Sequence, residues 1–317
     1  MRIIGTGGAV PGRIVTNDEL AQFLDTSDEW IVSRTGICQR RVLTTEKLED
    51  IAAKAAKSAL EMSGLVPSEI DYIICSNVYN ESMFPGLGTI VQGILGLECP
   101  SIDINGACAG FVYALQLANG LLATGIKNVL IISAEANSMI CDWNDRSVSV
   151  LLGDGAGAVV VTGGGDDILF EMSSVPNSAA LYAKNDSGNC PYTEKREAVF
   201  MKMNGQDVYK FAVSSSIRDM TKLMGRRGIE PCDIGYFLLH QANMRIIESA
   251  RSRMKQPKEK FPTNIERFGN TSSASIPMLL DELNRGGSLK SGEWILMSAF
   301  GAGLVTGACL LRWNKCN

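Results

Sequence analysis

Two glycine-rich segments that resemble each other constrain the fold more strongly than any other feature of this chain. Residues 150–161 read VLLGDGAGAVVV, and residues 298–309 read SAFGAGLVTGAC. Each has the pattern of a strand, a turn of small residues and a second strand, and the two lie about 150 residues apart in a chain of 317. Internal similarity indicates repetition of one structural unit. The sequence therefore predicts two halves that end in the same way, with a site between them.

Apolar strand patterns alternate with helical patterns along the chain. Helices are predicted over residues 48–62, 88–97 and 208–224, and strands over residues 1–10, 72–75, 100–104, 128–133, 148–152, 234–239, 293–298 and 305–313. This alternation predicts an α/β protein with a largely parallel sheet covered by helices. The pattern lapses at residues 163–167, so we place the boundary between a first half, 1–165, and a second half, 166–317. Residues 172–196 are polar and irregular and are predicted to form a long surface excursion.

Composition excludes several classes of protein. The chain is 45% hydrophobic and 20% charged, as soluble globular proteins are, and it has no apolar run long enough to span a membrane. Its N-terminus lacks the apolar core of a signal peptide, so we expect a cytoplasmic protein. Nine scattered cysteines without a C-x-x-C pair suggest neither a disulfide framework nor a zinc site.

Charge is distributed unevenly. The net charge of −4 argues against general nucleic-acid binding. Between residues 202 and 260, however, basic residues outnumber acidic ones by about two to one. This surplus indicates either a solvated face or a docking surface for an acidic partner.

Cys108 lies among small residues between a strand pattern and a helix pattern, in residues 105–111, NGACAGF. This position predicts a helix N-terminus, where free backbone N–H groups and the helix dipole would stabilise a thiolate and lower its pKa. The alternative is a small buried side chain, which is how most free cysteines are used.

His240 and Asn270 are the candidate partners of this thiol. His240 is the sole histidine and ends a predicted strand, where open α/β sheets bind ligands, although a lone histidine more often has a structural role. Asn270 lies in a run of small polar residues that could simply cap a helix. Together the two side chains could donate hydrogen bonds to one oxygen. A reaction that builds an enolate beside a thioester requires two such donors.

Six motifs in order give the chain a resemblance that runs nearly end to end. They are residues 26–31 (TSDEWI), 106–111 (GACAGF), 153–158 (GDGAGA), 203–205 (MNG), 240–243 (HQAN) and 269–275 (GNTSSAS). With these motifs the chain resembles the β-ketoacyl-[acyl carrier protein] synthase III family of condensing enzymes. The resemblance implies a thiolase-like α/β fold, with two duplicated halves forming a layered αβαβα architecture. The first half would carry the nucleophilic cysteine, and the second half the histidine and the asparagine.

The resemblance also implies a reaction. A short acyl-CoA, acetyl-CoA in the first place, would acylate Cys108, and malonyl-acyl carrier protein would lose CO2 to give an enolate held by His240 and Asn270. Condensation would then yield 3-oxoacyl-acyl carrier protein, the first step of type II fatty-acid synthesis. Backbone N–H groups of Cys108 and Ala302 would form the oxyanion hole. No cofactor or metal is implied, because the CoA thioester is a substrate.

Two other functions stay open at this point. One is a related condensing enzyme or acyltransferase of a secondary-metabolite pathway, and the other is a non-catalytic paralogue that binds the carrier protein. The preferred primer is not determined by the sequence.

Further residues receive roles by the same resemblance. Those that would line the CoA tunnel are Trp30, Arg34, Arg146, Gly205 and Asn243, with the adenine between Trp30 and Arg146. Phe84 would reach across a homodimer interface to close the acyl pocket of the partner. The patch that would receive the acidic carrier protein comprises Lys210, Arg245 and Arg251. A glycine triplet usual in the family is Gly301-Ala302-Gly303 here, a departure that keeps the backbone donor.

Overall fold

The computed structural model describes residues 1–165 and 167–314. Its strands are β1 (Arg2–Ala9), β2 (Arg13–Thr16), β3 (Gln39–Val42), β4 (Tyr72–Ser76), β5 (Ser101–Ile104), β6 (Asn128–Glu135), β7 (Gly155–Thr162), β8 (Ile168–Ser174), β9 (Leu181–Lys184), β10 (Val199–Met203), β11 (Ile234–Leu239), β12 (Trp294–Gly301) and β13 (Val305–Arg312). Its α-helices are α1 (Asn17–Leu20), α2 (Asp28–Thr35), α3 (Leu48–Ser63), α4 (Leu87–Leu95), α5 (Gly110–Leu122), α6 (Asn137–Ile140), α7 (Arg146–Ser149), α8 (Gly205–Arg227), α9 (Met244–Met254), α10 (Ile265–Phe268) and α11 (Ser275–Arg285).

The two main sheets repeat one pattern of strand directions. The first has the order β1-β7-β6-β4-β5, and the second has the order β11-β12-β13-β8. β4 runs parallel to β5 and β6, whereas β7 runs antiparallel to β1 and β6. In the second sheet β11 is parallel to β12, and β13 is antiparallel to β12 and β8. Strands β1, β7, β6 and β4 therefore correspond to β8, β13, β12 and β11, and the predicted duplication is confirmed.

The prediction of largely parallel sheets is wrong, because most neighbouring strands of the two sheets are antiparallel. Helices cover both faces of each sheet, so antiparallel strands here are as continuously apolar as parallel ones. A continuous run of apolar residues in a strand indicates that both faces of the sheet are buried there. It does not indicate whether the strand is parallel or antiparallel to its neighbours.

In the described part of the chain, helices and main sheets alternate in five layers. α5 and α11 lie between the sheets, α3 and α4 cover the outer face of the first, and α8 and α9 cover the outer face of the second. Strand β6 shows how one sequence serves two layers. Val129 and Ile131 point to the central layer, while Leu130 and Ile132 point to α3 and α4. This period of two fixes the register of the sheet between its helices. The predicted αβαβα architecture is confirmed.

Glycines in β1 let the first outer helix approach the sheet closely. A Cβ on Gly5 would lie 2.1 Å from the carbonyl oxygen of Ala59, and one on Gly7 would lie 2.1 Å from that of Ala55. Alanines on the facing side of α3 complete the contact. The glycine-rich start of the chain therefore serves helix-to-strand packing.

Residues 148–152 do not form the predicted strand. They end helix α7, which Asp145 caps, and then turn toward β7. Val148 and Leu152 are buried because they line the site described below. Of the two similar segments, only the second strands correspond, as β7 and β13. Between β6 and β7 the chain passes through α6 and α7, whereas β12 leads almost directly into β13.

The predicted surface excursion over residues 172–196 is partly ordered as strands. Its first residues complete β8, and β9 pairs with β10 in an antiparallel hairpin. Residues 185–198 are mostly exposed. The boundary at residues 165 and 166 stays a prediction, since Asp166 lies outside the described residues. Over the described ranges, no helix combines the length and the apolar character that a membrane crossing needs. The cytoplasmic location also stays a prediction.

Candidate active site

Cys108 lies in a 3₁₀ turn, Ala107–Ala109, between the end of β5 and the start of α5. Ala107 adopts φ +47°, in the left-handed region that costs a non-glycine residue free energy. On the other side of the turn, a Cβ on Gly110 would lie 2.0 Å from Ser76 Oγ. The turn is therefore held tightly against the sheet, and it presents a partly buried thiol.

Burial raises the pKa of the Cys108 thiol to about 12, because the thiolate would lose its hydration. A hydrogen bond from Ser272 Oγ, 3.3 Å from Sγ, opposes this shift, and the charge of Glu135 adds to it. The predicted lowering of this pKa is wrong. The α-helix begins only at Gly110. Burial and the nearby carboxylate of Glu135 raise the pKa by more than the backbone N–H groups lower it. At neutral pH Cys108 is therefore a thiol, which would have to lose its proton in order to act as a nucleophile.

His240 follows β11 and is only 2% exposed. Burial lowers the pKa of its imidazole to about 3, so the ring is neutral. Nδ1 lies 3.1 Å from Ser275 Oγ, and the ring packs edge-on against Phe300. The Ser275 hydroxyl has two acceptors within reach, His240 Nδ1 and the Ser272 carbonyl at 2.8 Å. When it donates to Nδ1, Nε2 carries the hydrogen and can donate to a substrate oxygen.

Asn270 is fixed through its backbone and its side-chain oxygen. Its N–H donates to the carbonyl of Leu151 at 2.8 Å, and its Oδ1 accepts from the Ser272 N–H at 2.9 Å. These bonds leave the side-chain Nδ2 free to donate into the site. Helix α11 begins after Ala274 without a side-chain cap, so Asn270 does not serve as a helix cap.

Two cavities meet at Cys108. The larger has a volume of about 650 Å³ and reaches Cys108, His240 and Asn270. The smaller has a volume of about 100 Å³, and its wall is almost entirely apolar. Cys108 and Asn270 line both cavities. The thiol therefore stands at the junction of the larger cavity, called the tunnel below, and the smaller apolar cavity, called the pocket.

The structure brings most of the predicted binding residues to the larger cavity. Those lining it are Trp30, Arg34, Arg146, Gly205, Lys210, Asn243 and Arg245. The guanidinium carbons of Arg34 and Arg146 lie 4.7 Å and 5.1 Å from the Trp30 ring centre. Two stacking contacts need about 7 Å, so an adenine between Trp30 and Arg146 requires the latter to move outward.

Two predicted residues lie away from both cavities. Arg251 forms an ion pair with Glu248 at 2.7 Å on helix α9. Phe84 is 82% exposed, in the loop between β4 and α4. Neither residue lines the tunnel or the pocket of its own chain.

Backbone donors for an oxyanion are present beside the thiol. Ala302 and Cys108 both line the smaller cavity, and a Cβ on Gly301 would lie 2.8 Å from Cys108 N. Among the described residues, the Ala302 N–H has no acceptor, and the Cys108 N–H faces its own sulfur. Gly301 thus allows the β12–β13 turn to approach the backbone of Cys108 closely.

Glu135 and Ser272 also belong to this site, although the sequence did not indicate them. Glu135 ends β6, at the same carboxyl edge from which Cys108 projects, and it is 1% exposed. Its Oε1 lies 3.2 Å from Ser272 Oγ. An acidic residue at the end of a buried strand is a signal that could have identified Glu135. Ser272 lay within a motif already selected, but nothing local indicated its contact with the thiol.

Two family models match this chain over the regions that carry the site. The model described as 3-oxoacyl-[acyl-carrier-protein (ACP)] synthase III matches residues 102–175, and the model for the C-terminal part of that enzyme matches residues 224–313. The β-ketoacyl-[acyl-carrier-protein] synthase III of Clostridium acetobutylicum is 40% identical over 322 residues, which cover 99% of each chain.

Solved structures of similar proteins superpose over almost the whole length. A crystal structure of 3-oxoacyl-[acyl-carrier-protein] synthase III from Aquifex aeolicus has a TM-score of 0.91 and 41% identity, covering 98% of this chain and 99% of that one. The corresponding structure from Thermus thermophilus has a TM-score of 0.93 and 37% identity, covering 99% and 100%.

Proposed function

Because this chain belongs to the 3-oxoacyl-[acyl carrier protein] synthase III family, we propose that the junction at Cys108 is its active site. The enzyme condenses a short acyl-CoA with malonyl-acyl carrier protein, releases CO2 and CoA, and so initiates fatty-acid synthesis. The observation that carries the assignment of the site is the position of the thiol, which opens on one side to a tunnel and on the other to a small apolar pocket.

In the first half-reaction Cys108 accepts the acyl group. The pantetheine arm of CoA occupies the tunnel, and the acyl chain enters the pocket past the sulfur. As the sulfur attacks, negative charge develops on the thioester oxygen, and the N–H groups of Cys108 and Ala302 receive it. Preorganised donors of this kind lower the barrier because they are already oriented toward the developing charge.

In the second half-reaction His240 and Asn270 act on the malonyl group. Loss of CO2 places an electron pair on the α-carbon and negative charge on the thioester oxygen of the enolate. Donation from His240 Nε2–H and Asn270 Nδ2 stabilises that oxygen. A neutral imidazole suits this role, since burial keeps its pKa far below neutrality. The enolate carbon then attacks the acyl group on Cys108.

The mouth of the tunnel is suited to the nucleotide end of CoA. Trp30 offers a flat apolar face, and the guanidinium groups of Arg34 and Arg146 lie beside it. Arginine stacks on aromatic planes and also pairs with phosphates. We expect Arg146 to exchange its contact with Trp30 for a contact with the adenine.

The size of the pocket predicts the range of primers. A cavity of about 150 Å³ holds benzene, so roughly 100 Å³ holds about four carbon atoms. In an assay with malonyl-acyl carrier protein and a panel of acyl-CoAs, we expect products from two-carbon to four-carbon primers, identified by the mass of the carrier protein. Octanoyl-CoA should react at least about 100-fold more slowly, because its chain overfills the pocket.

Two variants test whether the pocket causes the preference for short primers. Met201 lines the small cavity, whereas Met139 lies outside it and is 44% exposed. Met201→Ala should improve the use of octanoyl-CoA relative to acetyl-CoA, and Met139→Ala should not. Lack of any 3-oxoacyl product from the short primers would contradict the proposed function.

The carrier protein is proposed to dock at the tunnel mouth. Of the basic residues between 202 and 260, most near β8 are paired: Arg218 with Asp219, Lys222 and Arg226 with Glu171, and Arg227 with Asp167. Lys210 and Arg245 are exposed, line the tunnel and have no ion-pair partner among the described residues. Lys210 and Arg245 are therefore the basic residues of this segment that are both free of ion pairs in the described part of the chain and located on the tunnel wall.

Reversal of charge at Arg245 tests the docking patch. Arg245→Glu should raise the KM for malonyl-acyl carrier protein about tenfold at low salt, and the difference from wild type should shrink as salt screens the interaction. Lys54→Glu makes the same charge change on the outer face of α3 and should have little effect. Equal KM values for the Arg245 variant and wild type at low salt would remove Arg245 from the patch.

An exposed edge strand with apolar side chains around it supports a homodimer. β5 is the edge strand of the first sheet, and exposed apolar side chains lie on and around it: Met83, Phe84, Ile94, Ile102 and Leu117. An open edge with apolar flanks favours pairing with a second copy around a two-fold axis. In such a dimer the side chain of Phe84 would extend across the interface to the acyl pocket of the partner subunit.

A further inference from the structure

Ser272 links the thiol of Cys108 to a buried carboxylate. Its Oγ lies 3.3 Å from Cys108 Sγ and 3.2 Å from Glu135 Oε1. Ser272 adopts φ +51°, so the chain holds it in a costly conformation at this contact. A hydroxyl has one hydrogen and can donate to only one neighbour at a time. With the thiol protonated, S–H donates to Ser272 Oγ and the Ser272 O–H donates to Glu135.

Glu135 is held as a proton acceptor rather than as half of an ion pair. Ser273 Oγ donates to its Oε1, and the Val78 N–H donates to its Oε2 at 3.0 Å. Within the described residues, Glu135 forms no ion pair, and no nearby cation lowers its pKa. The titratable groups that face it are the thiols of Cys108 and Cys75, and Cys75 is fully buried on β4 with Asp103 beyond it.

Charge at this site limits what the thiol can do. A thiolate next to an ionised Glu135 would be a buried pair of like charges, which is unfavourable. If the proton moves from the sulfur to the carboxylate as the sulfur attacks, the two groups never carry more than one negative charge, and that charge leaves with the CoA thiolate. Burial raises the pKa of Glu135 to about 7, which allows it to take up and give back a proton near neutral pH.

We propose that Glu135 stores the Cys108 proton while the acyl group is on the sulfur, and that Ser272 passes the proton in both directions. This inference rests on the proposed role of Cys108 as the acylated residue. It also explains how a buried, protonated thiol can attack without His240 acting as its base.

The steps balance over the cycle. In acylation the sulfur bonds to the acyl carbon, the S–H proton passes to Ser272 Oγ, and the Ser272 proton passes to Glu135. The bond from the acyl carbon to CoA breaks, and the CoA thiolate takes a proton from solvent. In condensation the enolate carbon bonds to the acyl carbon, and the electron pair of the broken bond stays on Cys108. The stored proton then returns to that sulfur through Ser272.

Measurement of proton uptake during acylation tests whether Glu135 holds the Cys108 proton. Enzyme in a weak buffer at pH 7.5 with an indicator dye is mixed rapidly with acetyl-CoA in the absence of malonyl-acyl carrier protein. Since Glu135 keeps the cysteine proton and CoA takes one from solvent, wild type should take up about 0.5 to 1 proton per acetyl group transferred. Labelled acetyl-CoA gives the number of acetyl groups. Glu135→Gln should acetylate without uptake, because the cysteine proton then ends on CoA.

Two serine variants separate the relay from the fold. Ser272→Ala removes the bridge but leaves the Ser273 and Val78 bonds to Glu135, and it should slow acetylation about 100-fold or more and abolish the uptake. Ser273→Ala also removes a hydrogen bond to Glu135, but Ser273 does not contact Cys108, so uptake should persist.

The outcomes separate this inference from the function on which it rests. Acetylation of wild-type Cys108 without proton uptake would overturn the proton store, as would a Ser272→Ala enzyme with wild-type rate and uptake. If Glu135→Gln does not fold, the proton uptake and acetylation rate of wild type and of Ser272→Ala still test the inference. Absence of acetyl label on wild-type Cys108 would instead contradict the proposed role of the thiol.

Discussion

Replacement of Cys108 by alanine is expected to abolish transfer of the acyl group from acetyl-CoA to the enzyme. The sulfur is the atom at which the tunnel and the pocket meet, and alanine offers no nucleophile there. Loss of a covalent nucleophile typically lowers turnover by several orders of magnitude, up to about 10⁶-fold. Radiolabelled acetyl-CoA should label the wild-type protein in a stoichiometry near one, and Cys108→Ala should carry no label.

The other cysteines provide the control for this result. Cys38 is exposed and Cys141 is buried near the small cavity, and neither reaches the junction of the two cavities. Cys38→Ala and Cys141→Ala should therefore accept label as wild type does. Label on Cys108→Ala at the wild-type level would show that another residue accepts the acyl group.

Sequence was sufficient to locate the three main side chains of the site. Cys108, His240 and Asn270 each lie in a short motif; His240 directly follows β11, and Cys108 follows the end of β5 after a short turn. Because carboxyl ends of strands gather at one edge of a sheet, local patterns predicted their meeting. The duplicated α/β fold was predictable for a similar reason, since apolar period and helix spacing are local properties of the chain.

Long-range contacts explain what the sequence did not predict. Ser272 and Glu135 are 137 residues apart in the chain, and their contact exists only once the two halves have packed together. The raised pKa of Cys108 depends on burial that the same packing produces. Residues 148–152 are apolar because they line the site, so their composition suggested a strand where the chain forms a helix and a turn.

Replacement of His240 or Asn270 by alanine should separate the two half-reactions. Each variant removes one of the two proposed donors to the enolate oxygen, and loss of one such donor typically lowers the rate about 10²-fold to 10³-fold. We expect decarboxylation of malonyl-acyl carrier protein and condensation to fall by that amount or more. Acetylation of Cys108 should remain within about tenfold of wild type, because the acyl oxygen is proposed to bind the Cys108 and Ala302 N–H groups instead.

Conservative variants distinguish hydrogen-bond donation from packing at these positions. His240→Gln and Asn270→Gln keep an amide donor, whereas His240→Phe fills the space beside Phe300 without one. Partial recovery of condensation in His240→Gln over His240→Phe is expected if donation matters. Decarboxylation is measured by release of labelled CO2, and acetylation by label on the protein. Wild-type condensation in both alanine variants, or loss of acetylation in step with condensation, would contradict the division of roles between the thiol and its two partners.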